Sequence, residues 1–134
     1  MLDSTAAVAA ERQGMNARQL LEAVALKTGD DEIALCVVTI LELAHGITRA
    51  GTTERRERRQ RFLDELLTVV PIHSITAPIA LRAGQIDGQS QSRGIRIPLS
   101  DLLIGASALN MNYAVGTANI RHFQMIPGLT VIPL

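Results

Sequence analysis

The sequence predicts an α/β domain, helices packed around a short parallel sheet, and three observations predict it. Short apolar runs alternate with segments of helical period along the whole chain. Hydrophobic residues make up 47% of the 134 positions and charged residues 19%, a balance that supports a buried core and excludes a highly charged disordered chain. No repeat, proline-rich linker or low-complexity tract interrupts the sequence, so residues 1–134 are expected to form one domain.

Each element has its own signal. After Asp3, Thr5 to Gln13 reads as a helix closed by Gly14. Ala17 to Lys27 is a second, with Leu20, Leu21, Val24 and Ala25 on one side and Gly29 past its end. Asp30-Asp31-Glu32 makes a turn. Ile33 to Val38 is a continuous apolar run, as in a strand covered on both faces. From Thr39 the period changes, and Ile40, Leu41, Ala44 and Ile47 fit a helix that stops near Gly51. Thr52 or Thr53 caps a long helix through Leu67, apolar at Phe62, Leu63, Leu66 and Leu67. Val69 to Ile72 reads as a short strand, Thr76 opens a helix over Ala77 to Gln91, and the polar stretch Ser90 to Arg96 is expected to be a mobile loop. Pro98-Leu99-Ser100-Asp101 starts a helix that runs to Asn110, Ala114 to Thr117 is a strand, and Val131-Ile132 is the last. Ligands of parallel sheets sit beyond the carboxyl ends of the strands. That rule points to Asp3, to the helix after Val38, and to Thr117 through Asn119.

Composition excludes several function classes. The aromatic residues are Phe62, Tyr113 and Phe123, so the core is aliphatic and the composition weighs against a ring platform for stacking single-stranded bases. Thirteen Lys plus Arg balance thirteen Asp plus Glu, so no global field draws a polyanion or a membrane. Nearly all the bases are Arg, suited to bidentate grips on phosphate or carboxylate, with Lys27 the exception. Cys36 is alone, which rules out an internal disulfide and points to a reducing cytoplasm. Met1-Leu2-Asp3-Ser4 lacks the basic flank and apolar run of a signal peptide. The longest apolar stretch, Ile33 to Leu41, is far short of a membrane span.

Three acids stand out, two by their apolar surroundings and one by its place at a strand end. Glu42 lies within Val38-Thr39-Ile40-Leu41-Glu42-Leu43-Ala44, where an ionised carboxylate needs a partner unless that position faces solvent. Gly46, one turn on, leaves space beside it. Asp101 occupies the first turn of an apolar helix, a place that the helix dipole alone explains and that also opens onto the sheet's carboxyl edge. Asp3 reads equally as a cap or as a ligand at a strand end. Carboxylates gathered at one edge repel one another unless a hard dication neutralises them, and oxygen donors suit Mg²⁺ or Mn²⁺ better than zinc. His45, His73 and His122 fall in no zinc spacing, and no phosphate loop or nucleophile elbow is present. The run Glu54 to Arg61, with five Arg and two Glu, reads as a solvated helix face or as a phosphate-binding ridge.

With these residues in place, the chain resembles the PIN-domain family, most closely the VapC-type ribonuclease toxins of bacterial toxin–antitoxin pairs. Leu2-Asp3-Ser4-Thr5 with Glu11-Arg12 is similar to the family's opening, and Val38 to Gly46 looks like its second motif. The segment Ile97-Pro98-Leu99-Ser100-Asp101-Leu102-Leu103-Ile104-Gly105-Ala106 resembles the one that carries the family's central aspartate. Val115-Gly116-Thr117-Ala118-Asn119-Ile120-Arg121-His122-Phe123 has the layout of its ending.

The resemblance implies a three-layer α/β/α fold with a short central sheet, and hydrolysis of RNA phosphodiester bonds with Mg²⁺ or Mn²⁺. By position, Asp3, Glu42 and Asp101 become the metal-site acids and, with Asn119, the catalytic set. Asn119 and His122 stand where many members carry a fourth acid, and because Met1 and Leu2 are all that precede Asp3, either the first strand is very short or the start codon is misplaced. Arg93, Arg96 and Thr117 are expected to contact substrate. A cognate antitoxin, docked between the early helices and the Arg-bearing helix, and a homodimer are the implied partners, with no membrane. The rival reading is a catalytically weak PIN module that acts through protein binding. A phosphorylation-receiver domain is set aside because it needs a late lysine and Lys27 is the sole one.

Overall fold

The structure, a computed structural model, describes residues 1–134. Seven helices surround four short strands. The chain runs α1 (Ser4–Arg12), α2 (Ala17–Thr28), β1 (Leu35–Cys36), α3 (Val37–Thr48), α4 (Thr53–Val69), β2 (Ile72–His73), α5 (Ala77–Ser92), α6 (Leu99–Met111), β3 (Val115–Thr117), α7 (Ile120–Phe123) and β4 (Val131–Pro133). Local signals set most helix starts. Asp3 accepts from Ala6 N–H, Asn16 and Gln19 form a reciprocal capping box, and Thr52 accepts from Arg55 N–H.

The strands pair in parallel, β1 with β2 in register Leu35 to Ile72 and β3 with β4 in register Val115 to Val131. Leu2 joins the two pairs by bridging Leu35 on one side and Gly116 on the other. The order across the sheet is therefore β2, β1, Leu2, β3, β4. Side chains alternate across it. Met1, Cys36 and Val115 enter a core with Ile79, Ile86, Leu102, Ile104 and Phe123, while Leu2 and Leu35 enter another with Ala7, Leu20, Phe62 and Leu66. These two cores, one per face, are the three-layer α/β/α arrangement. Helix α6 is buried on almost every side, as an all-round apolar helix must be.

Several expected boundaries move. The run Ile33 to Val38 forms a strand at Leu35–Cys36 alone, because Cys36, with extended backbone, starts α3 at once and Val37 and Val38 enter the helix. β-Branched residues give way here to packing on the carboxyl edge. The strand expected at Val69 to Ile72 lies at Ile72–His73, since α4 continues through Val69. Pro71 has no N–H to give, but its carbonyl accepts from Leu35 N–H at 3.0 Å. The polar stretch Ser90 to Arg96 is partly helical: α5 runs to Ser92, Gly94 turns the chain at φ 73°, and Ile95 N–H bonds Ser90 C=O. The short helix α7 had no periodicity to reveal it. No helix is long and apolar enough to cross a membrane.

Two helix glycines test the packing. A Cβ on Gly105 would stand 2.3 Å from Ile126 Cδ1 inside the core, whereas one on Gly84 would meet nothing within 4 Å. Urea denaturation is expected to show Gly105→Val destabilised by about 1–3 kcal/mol through overpacking. Gly84→Ala should be stabilised by about 0.5–1 kcal/mol.

Candidate active site

Asp3 is the residue that follows the central bridge, and it is 2% exposed. A buried carboxylate must be supplied with donors, and the chain supplies hydroxyls. Thr117 Oγ1 donates to Oδ2 at 2.9 Å, Thr5 Oγ1 lies 2.9 Å from both oxygens, and Ala6 N–H reaches Oδ1 at 3.2 Å. Those hydroxyls also accept from the chain after β3, Thr5 from Ala118 N–H and Thr117 from Asn119 N–H. Thr5 was not singled out from sequence, although a hydroxyl two residues past a capping aspartate is a local hydrogen-bonding signal.

Burial pushes the Asp3 carboxyl above its ordinary value; the Thr117, Thr5 and Ala6 hydrogen bonds oppose the shift, and the charge of Asp101 adds to it. Asp101, in the first turn of α6, is raised mainly by burial too, with His122 opposing and the charge of Glu42 adding. Asp101 thus feels both other acids. Glu42 stands on α3, half-buried, with Ser4 Oγ donating to its Oε2 at 2.7 Å. Together the three acids present carboxylate oxygen, the donor type of a hard divalent cation. No three of the chain's His, Cys, Asp and Glu side chains, as placed, form a ready cage for an ion.

The other expected residues divide. Thr117, expected from sequence to contact substrate, is fully buried and donates its hydroxyl to Asp3, so in this structure it supports the acid. Asn119 is exposed at the start of α7, where its side chain caps nothing. Arg93 and Arg96 are exposed. Along α4, Arg58 and Arg59 each lie 3.4 Å from Glu11, and Arg59 also donates to Gly46 C=O at 2.7 Å. Part of the Arg ridge therefore clips α4 to α1 and α3, and Arg55, Arg56 and Arg61 stay exposed. Gly46 leaves the space beside Glu42 that its spacing implied: both line a cavity of about 200 Å³ with Ala7, Glu11, Arg59 and Phe62. Sequence reading gave His122 no role beyond the place of a missing acid, yet its Nδ1 lies 2.7 Å from Asp101 Oδ2.

The two raised carboxyls fix the sign of a pH effect. A carboxyl with a raised folded pKa binds its proton more tightly in the folded state, so the stability it contributes is complete below 3.8 and is lost as pH rises through the folded value. Asp101→Asn should remove part of that loss. In chelator at neutral pH, denaturation is expected to find the variant more stable by roughly 1 kcal/mol, with the difference closing as pH falls. A helix-start role alone gives the opposite sign.

Comparison with known proteins identifies the family. The family model for the PIN domain matches residues 1–127. Ribonuclease VapC10 of Mycobacterium tuberculosis is 34% identical over 100 residues, 75% of this chain and 69% of that protein. Among solved structures, VapBC2 from Rickettsia felis bound to a DNA fragment from their promoter aligns with a TM-score of 0.84 at 25% identity, over 100% of this chain and 97% of that one. VapBC-5 of Mycobacterium tuberculosis, a member of the VapBC family of toxin–antitoxin systems, aligns with a TM-score of 0.69 at 25% identity, over 75% and 81%. The family-model match over residues 1–127, together with the VapC relative and the fold shared along the whole chain with the Rickettsia felis protein, makes this chain a member of the PIN-domain family, in its VapC group.

Proposed function

We propose that this chain is the ribonuclease toxin of a toxin–antitoxin pair, a single-domain endoribonuclease that hydrolyses RNA phosphodiester bonds with Mg²⁺ or Mn²⁺ held by Asp3, Asp101 and Glu42. The observation that carries the reading is geometric: Asp3 ends the central strand of a PIN-family sheet, the adjoining Ser4 holds Glu42 at 2.7 Å, and Asp101 opens α6 near enough for charge to couple it to them. Relatives named as VapC ribonucleases and matching VapBC complexes support the activity and the antitoxin.

When bound, the cation supplies Lewis acidity and neutralises charge at the phosphate. Thr5 and Thr117 hold Asp3 in place by their hydroxyls. Glu42, fixed by Ser4, orients the attacking water and takes its proton. Asn119 positions a water or a phosphate oxygen without adding charge, and Arg93 and Arg96 grip the backbone. Because the chain is neutral overall, that grip is local and salt-sensitive. The lone buried Cys36 suits a cytoplasmic setting.

Asp101→Asn is the deciding variant. It is expected to fold, to lose divalent-dependent RNA cleavage, and to lose the rise in melting midpoint that Mn²⁺ gives the wild type. Equal responses to Mn²⁺ in both proteins would leave Asp101 as a helix-start residue. A wild type that binds an antitoxin yet never cleaves RNA would favour a binding module.

Partners follow from uncovered surface. Helix α3 is strongly apolar, yet Thr39 and Ile47 are its only fully buried residues, and Leu41, Leu81 and Leu99 are 67%, 70% and 70% exposed. Faces of this kind mark protein contacts. We assign them to a homodimer, and the cavity between α1, α3 and α4 to an apolar segment of the antitoxin. Light scattering is expected to give about twice the 14.5 kDa chain mass. Co-expression with the neighbouring small protein should yield one co-eluting complex; a strict monomer and no complex would contradict these assignments.

A further inference from the structure

Asp101 is the third residue of α6, a place from which an acidic side chain can reach back to the N–H of the cap residue. Here the cap residue is Pro98, which has no N–H to give, and α6 starts without any side-chain cap. Asp101 turns instead to another element, and its hydrogen-bond partner is His122, at 2.7 Å between Nδ1 and Oδ2. The two side chains are 19% and 29% exposed. An ionised carboxylate accepts and does not donate, so the proton of this contact sits on Nδ1.

The contact is fixed from both directions. His122 lies on α7, whose next residue, Phe123, is anchored in the core at 1% exposure. The chain entering α7 is tied by Ala118 N–H to Thr5 Oγ1 and by Asn119 N–H to Thr117 Oγ1. Those are the same hydroxyls that hold Asp3. A single short segment therefore restrains both acids, the buried Asp3 through Thr5 and Thr117 and the half-buried Asp101 through an imidazole.

We infer that His122 is a positioning residue for Asp101, its Nδ1–H engaging Oδ2 so that Oδ1 is left to take the divalent cation. The inference rests on the cation reading above. Carboxylates that hold metals depend on such hydrogen bonds for orientation, and losing one weakens metal binding by about 10- to 100-fold. Histidine does this without adding a negative charge beside Asp3, Glu42 and Asp101.

The test is a set of Mn²⁺ titrations, followed by melting midpoint, of wild type, His122→Ala, His122→Asn, His122→Gln and Asp101→Asn. An Asn amide nitrogen replaces Nδ1 of histidine, whereas the longer Gln places its nitrogen nearer Nε2. His122→Ala is expected to weaken apparent Mn²⁺ affinity by about 10- to 100-fold, His122→Asn to recover most of it, and His122→Gln to stay weak. Should the Ala variant fail to fold, Asn against Gln decides. Wild-type affinity in the Ala variant, or equal loss in all three, overturns the inference; rescue by Gln and not Asn overturns it in favour of Nε2 as the working atom. A wild type that, like Asp101→Asn, gives no Mn²⁺ response removes the cation reading itself and this inference with it.

Discussion

The double pairing of Leu2 is the constraint on which the rest of the molecule depends. Leu2 N–H bonds Ala34 C=O, Gly116 N–H bonds Met1 C=O, and Asp3 N–H bonds Gly116 C=O, at 2.9, 2.8 and 3.1 Å. Without these bonds the strands are two separate two-stranded ladders, too small to stand alone. The bridge makes one parallel sheet with a core on each face. Close approach on both sides requires a small neighbour, and Gly116 provides it: a Cβ there would stand 2.9 Å from Leu134 and 3.0 Å from Leu2.

Placing a strand so short at the centre of the sheet also brings a carboxylate into the interior. Asp3 follows Leu2 directly, so it is buried by the position that makes it the end of the central strand. Desolvation of the charge is offset by hydroxyls from α1 and β3 rather than by a cation of the chain. An Arg or Lys partner would bind the acid more tightly but would also neutralise it. Hydroxyl donors leave the negative charge available, and Asp101 and Glu42 keep the same sign nearby.

Charge is handled differently on the outer side of α1. Glu11 meets Arg58 and Arg59 in a partly buried pair of contacts, and Arg59 continues to Gly46 C=O. This ties three helices together around the cavity beside Glu42. Arg59 lines that cavity beside Ala7, Phe62 and Leu63 while its head is paired with Glu11. The helical layers of this chain are thus joined by ion pairs at the rim and by aliphatic packing near the sheet.

By itself the sequence determined the α/β class, the order of the elements, most helix caps and the acids worth naming, because caps, turn glycines and apolar period are local properties. Glu42 and Asp101 were legible as acids out of keeping with apolar neighbours, Asp3 as an acid at the end of a strand, and the space at Gly46 from its spacing to Glu42. Only the tertiary structure decided the length of the strands, since Val37 and Val38 suit strand or helix and the packing of α3 chose helix. It alone gave Thr117 a supporting task, because a fully buried hydroxyl and an exposed one read alike in sequence. It also turned His122 from the place of an absent acid into the partner of Asp101, a contact across 21 residues. Long-range pairs of that kind depend on how the layers stack, and no local spacing encodes them.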